Sequence, residues 1–288
     1  MGKRLWIISG IALILVGLAG IASYGWHTGG DLNPVEKSWA FDKQALQRLE
    51  IKSDYNVEIS FVESSDGLNS IRLVGEGTEQ MARDTLSTDI ADGALKLDLT
   101  QKPHRWFHFF DFDSFNAKEK LTISLAAGVQ FDSLDLKLDS GNITVTNASL
   151  AAPRDTKIKI DSGNVTLNKF KGTQLDIDID SGNVTANGLA AKVSVDADSG
   201  NIKLYDVAGA ADLSVDSGNI KLYKLTNEDT TIKADSGNVY VQVPKGFAGF
   251  YDLQADSGSI HRPESKRETT DYVKVRTDSG NITIEERE

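Results

Sequence analysis

Cysteine is absent from the 288 residues of this chain. This absence excludes a disulfide framework, a thiol nucleophile and a cysteine-ligated zinc site. Basic residues are also few, because 31 lysine and arginine residues stand against 42 aspartate and glutamate residues, for a formal net charge of −11. A protein that binds nucleic acid contacts the phosphates with clustered lysine and arginine, so the charge balance argues against a nucleic-acid partner.

Histidine is scarce too, since the four histidines are scattered at His27, His104, His108 and His261. Catalysis requires one asymmetric group in which a base is held against a nucleophile or an acid, and no such group is evident. We therefore predict a protein that is not an enzyme and has no cofactor. The alternative is a carbohydrate-active β-helix enzyme, because such enzymes work with carboxylates on one face and this chain has many carboxylates.

The one long apolar run lies at the start of the chain. Residues 5–24 carry no charge and follow Lys3 and Arg4. Twenty helical residues span about 30 Å, the thickness of a bilayer core. The positive-inside rule then predicts a single-pass signal-anchor with a cytoplasmic N-terminus and an extracellular C-terminal domain. A cleaved signal peptide is the alternative, because Gly20-Ile21-Ala22 resembles a small-residue cleavage site. Residues 25–38 contain three glycines and one proline and are predicted to be a linker.

The sequence Asp-Ser-Gly occurs eight times in the second half, and seven copies continue into asparagine, whereas the copy at Asp256 continues into Ser259. Successive copies are 18 to 22 residues apart. A fixed period of this size is typical of a solenoid, in which a short unit stacks on its neighbour. We predict an all-β fold, a parallel β-solenoid of about 20 residues per coil. A β-sandwich or a propeller remains the alternative.

Each unit alternates apolar and polar residues on both sides of the motif. Ile158 and Ile160 precede it and Val165 and Leu167 follow it, so the apolar residues change from even to odd positions. A four-residue corner therefore resets the register and directs both strands toward one core. Two packed sheets or a three-sided prism would both satisfy this pattern.

Turn chemistry explains every residue of the motif. We expect the aspartate carboxylate to accept backbone N–H groups of a type I turn, the glycine to adopt a left-handed conformation, and the asparagines to stack in a ladder. Calcium between the stacked carboxylates is the alternative. The predicted turn residues are Asp139, Gly141, Asn142, Asp161, Gly163, Asn164, Asp180, Gly182, Asn183, Asp198, Gly200, Asn201, Asp216, Gly218, Asn219, Asp235, Gly237, Asn238, Asp256, Gly258, Asp278, Gly280 and Asn281.

The sequence before the array is less regular. Residues 39–138 are predicted to be an irregular β region that caps the regular solenoid of residues 139–288. Residues 54–59 look like a degraded repeat, with Tyr55 in place of Ser-Gly. Residues 78–88 fit either a short helix or an irregular crossing.

Three segments interrupt the array, and loops on rigid scaffolds often carry function. The first is a dense aromatic segment, which either seals the first coil or forms a binding loop for membrane, glycan or protein. The second, residues 242–251, is also aromatic. The third, residues 261–268, is a charged loop that either is solvated or contacts an anionic wall polymer. The candidate binding residues of the first segment are Trp106, Phe107, Phe109, Phe110 and Phe112.

A basic start, one apolar span and repeated Asp-Ser-Gly-Asn units together resemble the bacterial putative adhesins of the LiaG-like type. The resemblance covers residues 39–288 and is most specific over residues 139–284. It implies a β-solenoid displayed at the cell envelope, with a binding, sensing or accessory role and no catalytic residues. The expected function is a membrane-anchored, non-enzymatic surface protein that binds a cell-wall polymer, glycan or envelope protein. A calcium-stiffened spacer is a further alternative.

Overall fold

The computed structural model describes residues 32–100 and 118–288. The predicted membrane segment, residues 5–24, and the aromatic segment with Trp106 and Phe112 lie outside the described residues. Within the described ranges, no helix has the length and apolar character needed to cross a bilayer.

Most of the described chain is β-strand. One helix, α1 (Glu79–Ser87), and a short 3₁₀ helix at Ala148–Leu150 accompany seventeen strands of one continuous sheet. The strands are β1 (Asn33–Phe41), β2 (Arg48–Ser53), β3 (Asn56–Glu63), β4 (Asn69–Gly77), β5 (Ala94–Leu99), β6 (Lys118–Leu125), β7 (Ser133–Thr146), β8 (Asp155–Ser199), β9 (Ile202–Ala208), β10 (Ala211–Ser217), β11 (Ile220–Lys224), β12 (Thr230–Ser236), β13 (Val239–Val243), β14 (Phe250–Ser257), β15 (Ile260–His261), β16 (Tyr272–Ser279) and β17 (Ile282–Glu286).

Neighbouring coils pair in parallel and in register, as the solenoid prediction requires. In β7 and β8 the pairing continues through the corner, from Ser133 with Asp155 to Thr146 with Asn168. The strands before the corners form a first face, and the strands after the corners form a second face. This parallel stacking of coils is not the arrangement of a propeller or of an antiparallel sandwich.

The order of coils departs from the order of the sequence at both ends of the stack. Near the start, β2 lies between β5 and β7, so the coil of β5 and β6 is outside an earlier coil. Near the end, β16 lies between β12 and β14. The expectation that each unit stacks on the next one in sequence is therefore wrong for these units. The connection of residues 262–271 is long enough to bring the chain back into the stack.

The core is continuous along the stack. Ile158 and Ile160 before a corner and Val165 and Leu167 after it are all nearly inaccessible to solvent, and they belong to one cluster of buried residues. The predicted change of register across the corner is therefore confirmed. Two faces directed at one core bury the apolar half of each strand, which is the main stabilising contribution.

Helix α1 closes the N-terminal end of the stack. The Thr78 side chain caps it by accepting from the N–H of Met81, whose own side chain is buried. At the other end of the helix, Trp39 Nε1 donates to the Thr88 carbonyl at 2.8 Å, and Lys37 Nζ donates to the Leu86 carbonyl at 2.9 Å. Residues 78–88 thus form a helix and not an irregular crossing. The antiparallel strands β1 and β4 extend the second face beside it.

The C-terminal end of the stack is less covered. Leu253 and Ala255 of β14 point inward but are only partly buried, and Ile260 of β15 is 43% exposed. Each of these strands pairs with one neighbour, β14 with β16 and β15 with β17. Because the end coil lacks a second neighbour, its inward side chains remain partly in contact with solvent.

Candidate functional site

The corner glycines lie directly above one another. Gly218 has φ of +154°, and a Cβ on it would lie 1.6 Å from the carbonyl oxygen of Gly200. The same close approach recurs at each corner from Gly163 to Gly280. A side chain is therefore excluded twice, by the backbone conformation and by the carbonyl of the neighbouring coil. The sequence predicted the conformation but not the close approach.

An asparagine ladder runs beside the glycines. In each step, Oδ1 of one asparagine accepts two hydrogen bonds from the corresponding residue of the next coil. One comes from that residue's side chain and the other from its backbone N–H. The side-chain bonds measure 2.7–3.2 Å and the backbone bonds 2.9–3.2 Å. In spatial order the ladder is Asn56, Asn142, Asn164, Asn183, Asn201, Asn219, Asn238, Asn281 and Ser259.

Both exceptions to the motif occupy the ends of this ladder. Asn56, from the degraded repeat, is its first member, and Ser259 is its last. The Ser259 hydroxyl donates to Asn281 Oδ1 at 2.7 Å, and no later coil needs an acceptor from it. The change from asparagine to serine therefore marks the end of the stack.

The corner aspartates do not behave as predicted. Among the described residues, no hydrogen bond joins a corner carboxylate to the backbone of its own turn. The corner glycines have φ between +103° and +154°. A type I turn has φ of about −90° at that position, so the type I turn expectation is wrong. The corner N–H groups bond between coils instead; Gly218 N–H, for example, donates to the Ser236 carbonyl at 2.9 Å. The side chains of Asp139 through Asp278 are left as an exposed column, in which Lys233 contacts Asp235 at 2.9 Å. Within the described ranges, no group of three metal-binding side chains could hold an ion.

A shallow groove lies on the first face near the N-terminal end of the stack. Its volume is about 320 Å³. Its floor includes Ile51 and Leu136, which are buried. The charged residues that line it are Glu50, Lys52, Asp135, Lys137, Lys157 and Lys159.

The second face carries a group of stacked tyrosines. The rings of Tyr205 and Tyr223 are 4.9 Å apart and nearly parallel, and the ring of Tyr240 lies 5.4 Å from that of Tyr223. The Tyr240 hydroxyl donates to Glu285 at 2.8 Å. Burial, followed by the contact with Glu285, raises the pKa of Tyr240 to about 12. Sequence reasoning missed this group, although the repeated Lys-Leu-Tyr after two successive corners indicated it.

A carboxyl group lies within the core at the N-terminal end. Glu119 is fully inaccessible to solvent, and its Oε2 accepts from the Ser53 hydroxyl at 2.5 Å, whereas its Oε1 has no partner. Burial raises the pKa of Glu119 to about 8; the Ser53 hydrogen bond opposes this shift, and the Asp54 charge adds to it. The carboxyl group is therefore mostly protonated at neutral pH, because an isolated buried charge is costly.

A buried lysine lies farther along the second face. Lys224 is 2% exposed, and its Nζ donates to the Gly209 carbonyl. Burial lowers the pKa of Lys224 to about 8, and the nearby carboxylates of Glu228 and Asp229 oppose that shift. Neither Glu119 nor Lys224 was predicted from the sequence, because each occupies an inward position that the apolar pattern assigns to a hydrophobic residue.

The interrupting segments have different environments. In residues 242–251, Phe247 and Tyr251 are buried with ring centroids 5.3 Å apart, so these two rings pack inward. Residues 261–268 are mostly exposed, and the N–H groups of Arg267 and Glu268 bond to the carbonyls of Gly249 and Ala248. The candidate binding residues Trp106 to Phe112 lie outside the described residues and stay a prediction.

Parallel coils, one core and in-register corners define a solenoid-like β protein. A family model, Toastrack DUF4097, matches residues 46–285, which is well over half of the chain. The chain belongs to the Toastrack DUF4097 family.

Solved structures share this fold. A protein from Bacteroides fragilis described as a putative adhesin aligns with a TM-score of 0.51 and 14% identity, covering 90% of this chain and 100% of that one. A protein from Parabacteroides distasonis described as a putative lipid binding protein aligns with a TM-score of 0.50 and 17% identity, covering 90% and 99%. No curated protein matches the chain significantly. At these identities the structural similarities show the fold alone.

Proposed function

We propose that this chain is a non-enzymatic protein of the cell envelope that presents its coil stack as a rigid binding surface, in the manner of an adhesin. The observation that carries the proposal is the register of the coils. Outward residues of successive coils stand in columns, for example Lys137 beside Lys159 and Tyr205 near Tyr223. A surface held in fixed columns binds with little loss of conformational freedom.

Rigidity comes from the corner. The asparagine ladder and the stacked glycines fix each coil against the next, so the spacing of outward groups is set by strand pairing, about 4.8 Å. The description of the Bacteroides fragilis structure as a putative adhesin agrees with a surface role. The LiaG-like assignment and an accessory role in envelope stress also belong to this proposal.

Anchoring follows from the N-terminal sequence. The uncharged residues 5–24 would hold the chain in the cell membrane, with Lys3 and Arg4 on the cytoplasmic side and the coil stack outside. The coils would then stand close to the membrane surface, within reach of cell-wall polymers and envelope proteins. The predicted linker, residues 25–38, is too long at its C-terminal end, because β1 (Asn33–Phe41) already pairs with β4. The residues before Asn33 would separate the anchor from the stack.

The test is retention on envelopes. The full chain, purified in a neutral detergent, is mixed with separated wall, membrane and protein fractions from bacterial envelopes. We expect at least one fraction to retain it in a saturable manner. A variant that lacks residues 104–115, tested in parallel, reports whether the aromatic segment contributes to this retention. Absence of saturable retention on every fraction would contradict the proposed function, whereas release of reducing ends from an envelope glycan would favour the enzyme alternative.

A further inference from the structure

Lysines of three successive coils lie side by side on the first face. The strand register pairs Lys52 with Lys137 and Lys137 with Lys159. All three are exposed. Paired strands are about 4.8 Å apart, and like charges directly opposite each other on paired strands are destabilising. The sequence conceals this column, because β2 and β7 are far apart in the chain.

The lysine column forms one wall of the groove described above. The other wall is the neighbouring outward column of Glu50, Asp135 and Lys157. Four lysines and two carboxylates therefore line the groove, in a chain whose net charge is −11. The groove is thus a local excess of positive charge on an acidic protein.

Three of the four groove lysines, Lys52, Lys137 and Lys157, have no ion-pair partner among the described residues. Lys159 contacts Asp178 at 2.9 Å, and Glu50 is paired with Lys96 at 2.9 Å outside the groove. In the part of the chain that the structure describes, no ion pair engages Lys52 or Lys137. Asp98 is in register with Lys52 on its other side, but its carboxylate accepts from the Thr100 hydroxyl and makes no ion pair with Lys52. An anion in the groove would therefore relieve the repulsion between Lys52 and Lys137.

We propose that this groove binds the phosphate groups of a linear polyol-phosphate polymer, with the polymer running along the stack. This inference rests on the proposed function and specifies a ligand for it. Lysine ammonium groups are established phosphate ligands. The carboxylates of Glu50 and Asp135 on the opposite wall accept hydrogen bonds from the polyol hydroxyl groups. The two walls together match a polymer in which phosphates and hydroxyls alternate.

The surroundings favour a single polymer chain over a membrane surface. The corner carboxylates of Asp139 and Asp161 follow Lys137 and Lys159 by two residues, point outward on the same face and are exposed. A flat anionic bilayer would approach those carboxylates together with the lysines, and the like charges would repel. A narrow polymer in the groove contacts the lysines without covering the corner column.

The experiment measures binding of fluorescently labelled poly(glycerol phosphate) to the full chain in neutral detergent at low salt, by fluorescence anisotropy. The test variant is K52Q/K137Q, which removes two charges and keeps a polar side chain that is shorter by one atom. We expect its affinity to fall at least tenfold, which corresponds to about 1.4 kcal/mol. Wild-type binding should weaken as salt is added, because exposed charges are screened. The rescue variant K52R/K137R should bind within about threefold of wild type, since arginine also binds phosphate.

The matched control is K203Q/K221Q. These two lysines are also exposed and in register in adjacent coils, but they lie on the second face. Its affinity should stay within about twofold of wild type, since the same total charge is removed away from the groove. An equal loss in both double variants would show a general charge effect and would overturn the proposal. So would unchanged binding by K52Q/K137Q when its unfolding midpoint matches wild type.

Two further measurements separate the remaining outcomes. Flotation with phosphatidylglycerol vesicles that depends on Lys52 and Lys137, without polymer binding, would overturn the proposal in favour of a membrane. If K52Q/K137Q fails to fold, the proposal is tested with the wild-type protein. Inorganic phosphate must then compete with the polymer for binding, and uncharged glycerol must not. Envelope retention that is equal in wild type and a folded K52Q/K137Q would refute the groove and leave the proposed function standing, whereas no retention of wild type would refute that function itself.

Discussion

Asn281 donates its side-chain N–H to Oδ1 of Asn238 at 3.1 Å, although Asn238 lies 43 residues earlier and another corner comes between them in sequence. The skipped corner, at Ser259, donates to Asn281 from the other side. The last coil of the sequence is therefore the second from the end in space. The ladder reports the true order of the coils, because each member contacts only its spatial neighbours.

Engineered cysteine pairs will test this order in a chain that has no native cysteine. Ser236 is in register with Ser279, and Ser279 with Ser257. Disulfides need Cα atoms about 4.4–6.8 Å apart, a range that includes adjacent strands but not strands two coils apart. We expect S236C/S279C and S257C/S279C to oxidise to intramolecular disulfides. Stacking in sequence order would instead give the disulfide in S236C/S257C, which serves as the comparison in mass spectrometry of tryptic peptides.

The ladder should contribute measurably to stability. Replacing Asn201 by alanine removes its own bond to Asn183 and the two bonds that Asn219 makes to its Oδ1. At about 1 kcal/mol per hydrogen bond, N201A should lower the free energy of unfolding by about 2–3 kcal/mol. Ser259 makes one such side-chain bond, so S259A should cost about 1 kcal/mol. Urea unfolding gives both values. Equal losses would mean that Asn201 does not stabilise the protein through its ladder hydrogen bonds.

The corner glycines should tolerate no side chain. In G218A the new methyl group would overlap the Gly200 carbonyl, so coils must separate at that corner. We expect a loss of more than about 3 kcal/mol, or failure to fold, because strain and lost strand pairing add together. The matched control is G67A, where φ is +76° but no atom lies within 4 Å of the added Cβ. It should cost about 1–2 kcal/mol, and a similar loss in G218A would contradict the close approach.

Glu119 should make stability depend on pH. Its pKa is about 8 in the folded protein and near its ordinary value of 4.5 in the unfolded chain. The folded state therefore holds the proton more tightly, so the contribution of Glu119 to stability is greatest below about pH 4.5 and is lost as pH rises toward 8. The neutral variant E119Q lacks this loss. Relative to wild type it should become more stable by on the order of 3 kcal/mol between pH 4.5 and pH 8.

The measurement is a series of chemical unfolding curves for both proteins across that range. The control is E63Q, because Glu63 ends the neighbouring strand β3 and is exposed. Parallel stability profiles for wild type and E119Q would show that the buried carboxyl group does not titrate as the structure indicates.

Local features of this fold could be predicted from the sequence. The period of Asp-Ser-Gly, the alternation around Ile158 and Val165, and the ladder asparagines each depend on residues close together in the chain. Such patterns indicate a coil and its corner directly. The prediction that the corner aspartates accept from N–H groups of their own turn was wrong, because turn propensities describe an isolated turn. Here the N–H of Gly218 bonds to a neighbouring coil instead.

Long-range features could not be predicted in the same way. The corners at Asn238, Ser259 and Asn281 are flanked by the same alternation of inward and outward residues, so the apolar pattern fits any order of their coils. One signal was present, since a ladder needs an end and Ser259 is the one corner position without asparagine. The lysine groove depends on the order of the coils at the N-terminal end, because Lys52 and Lys137 become neighbours only when β2 stacks on β7.

The displaced position of the last coil also bears on how the chain matures. Residues 250–261 are synthesised before residues 272–286, yet their strands β14 and β15 pair only with β16 and β17 of that later segment. A nascent chain halted before residue 272 has no strand to join β14 to β12. Truncation of the chain in this stretch would therefore remove the strands with which β14 and β15 pair.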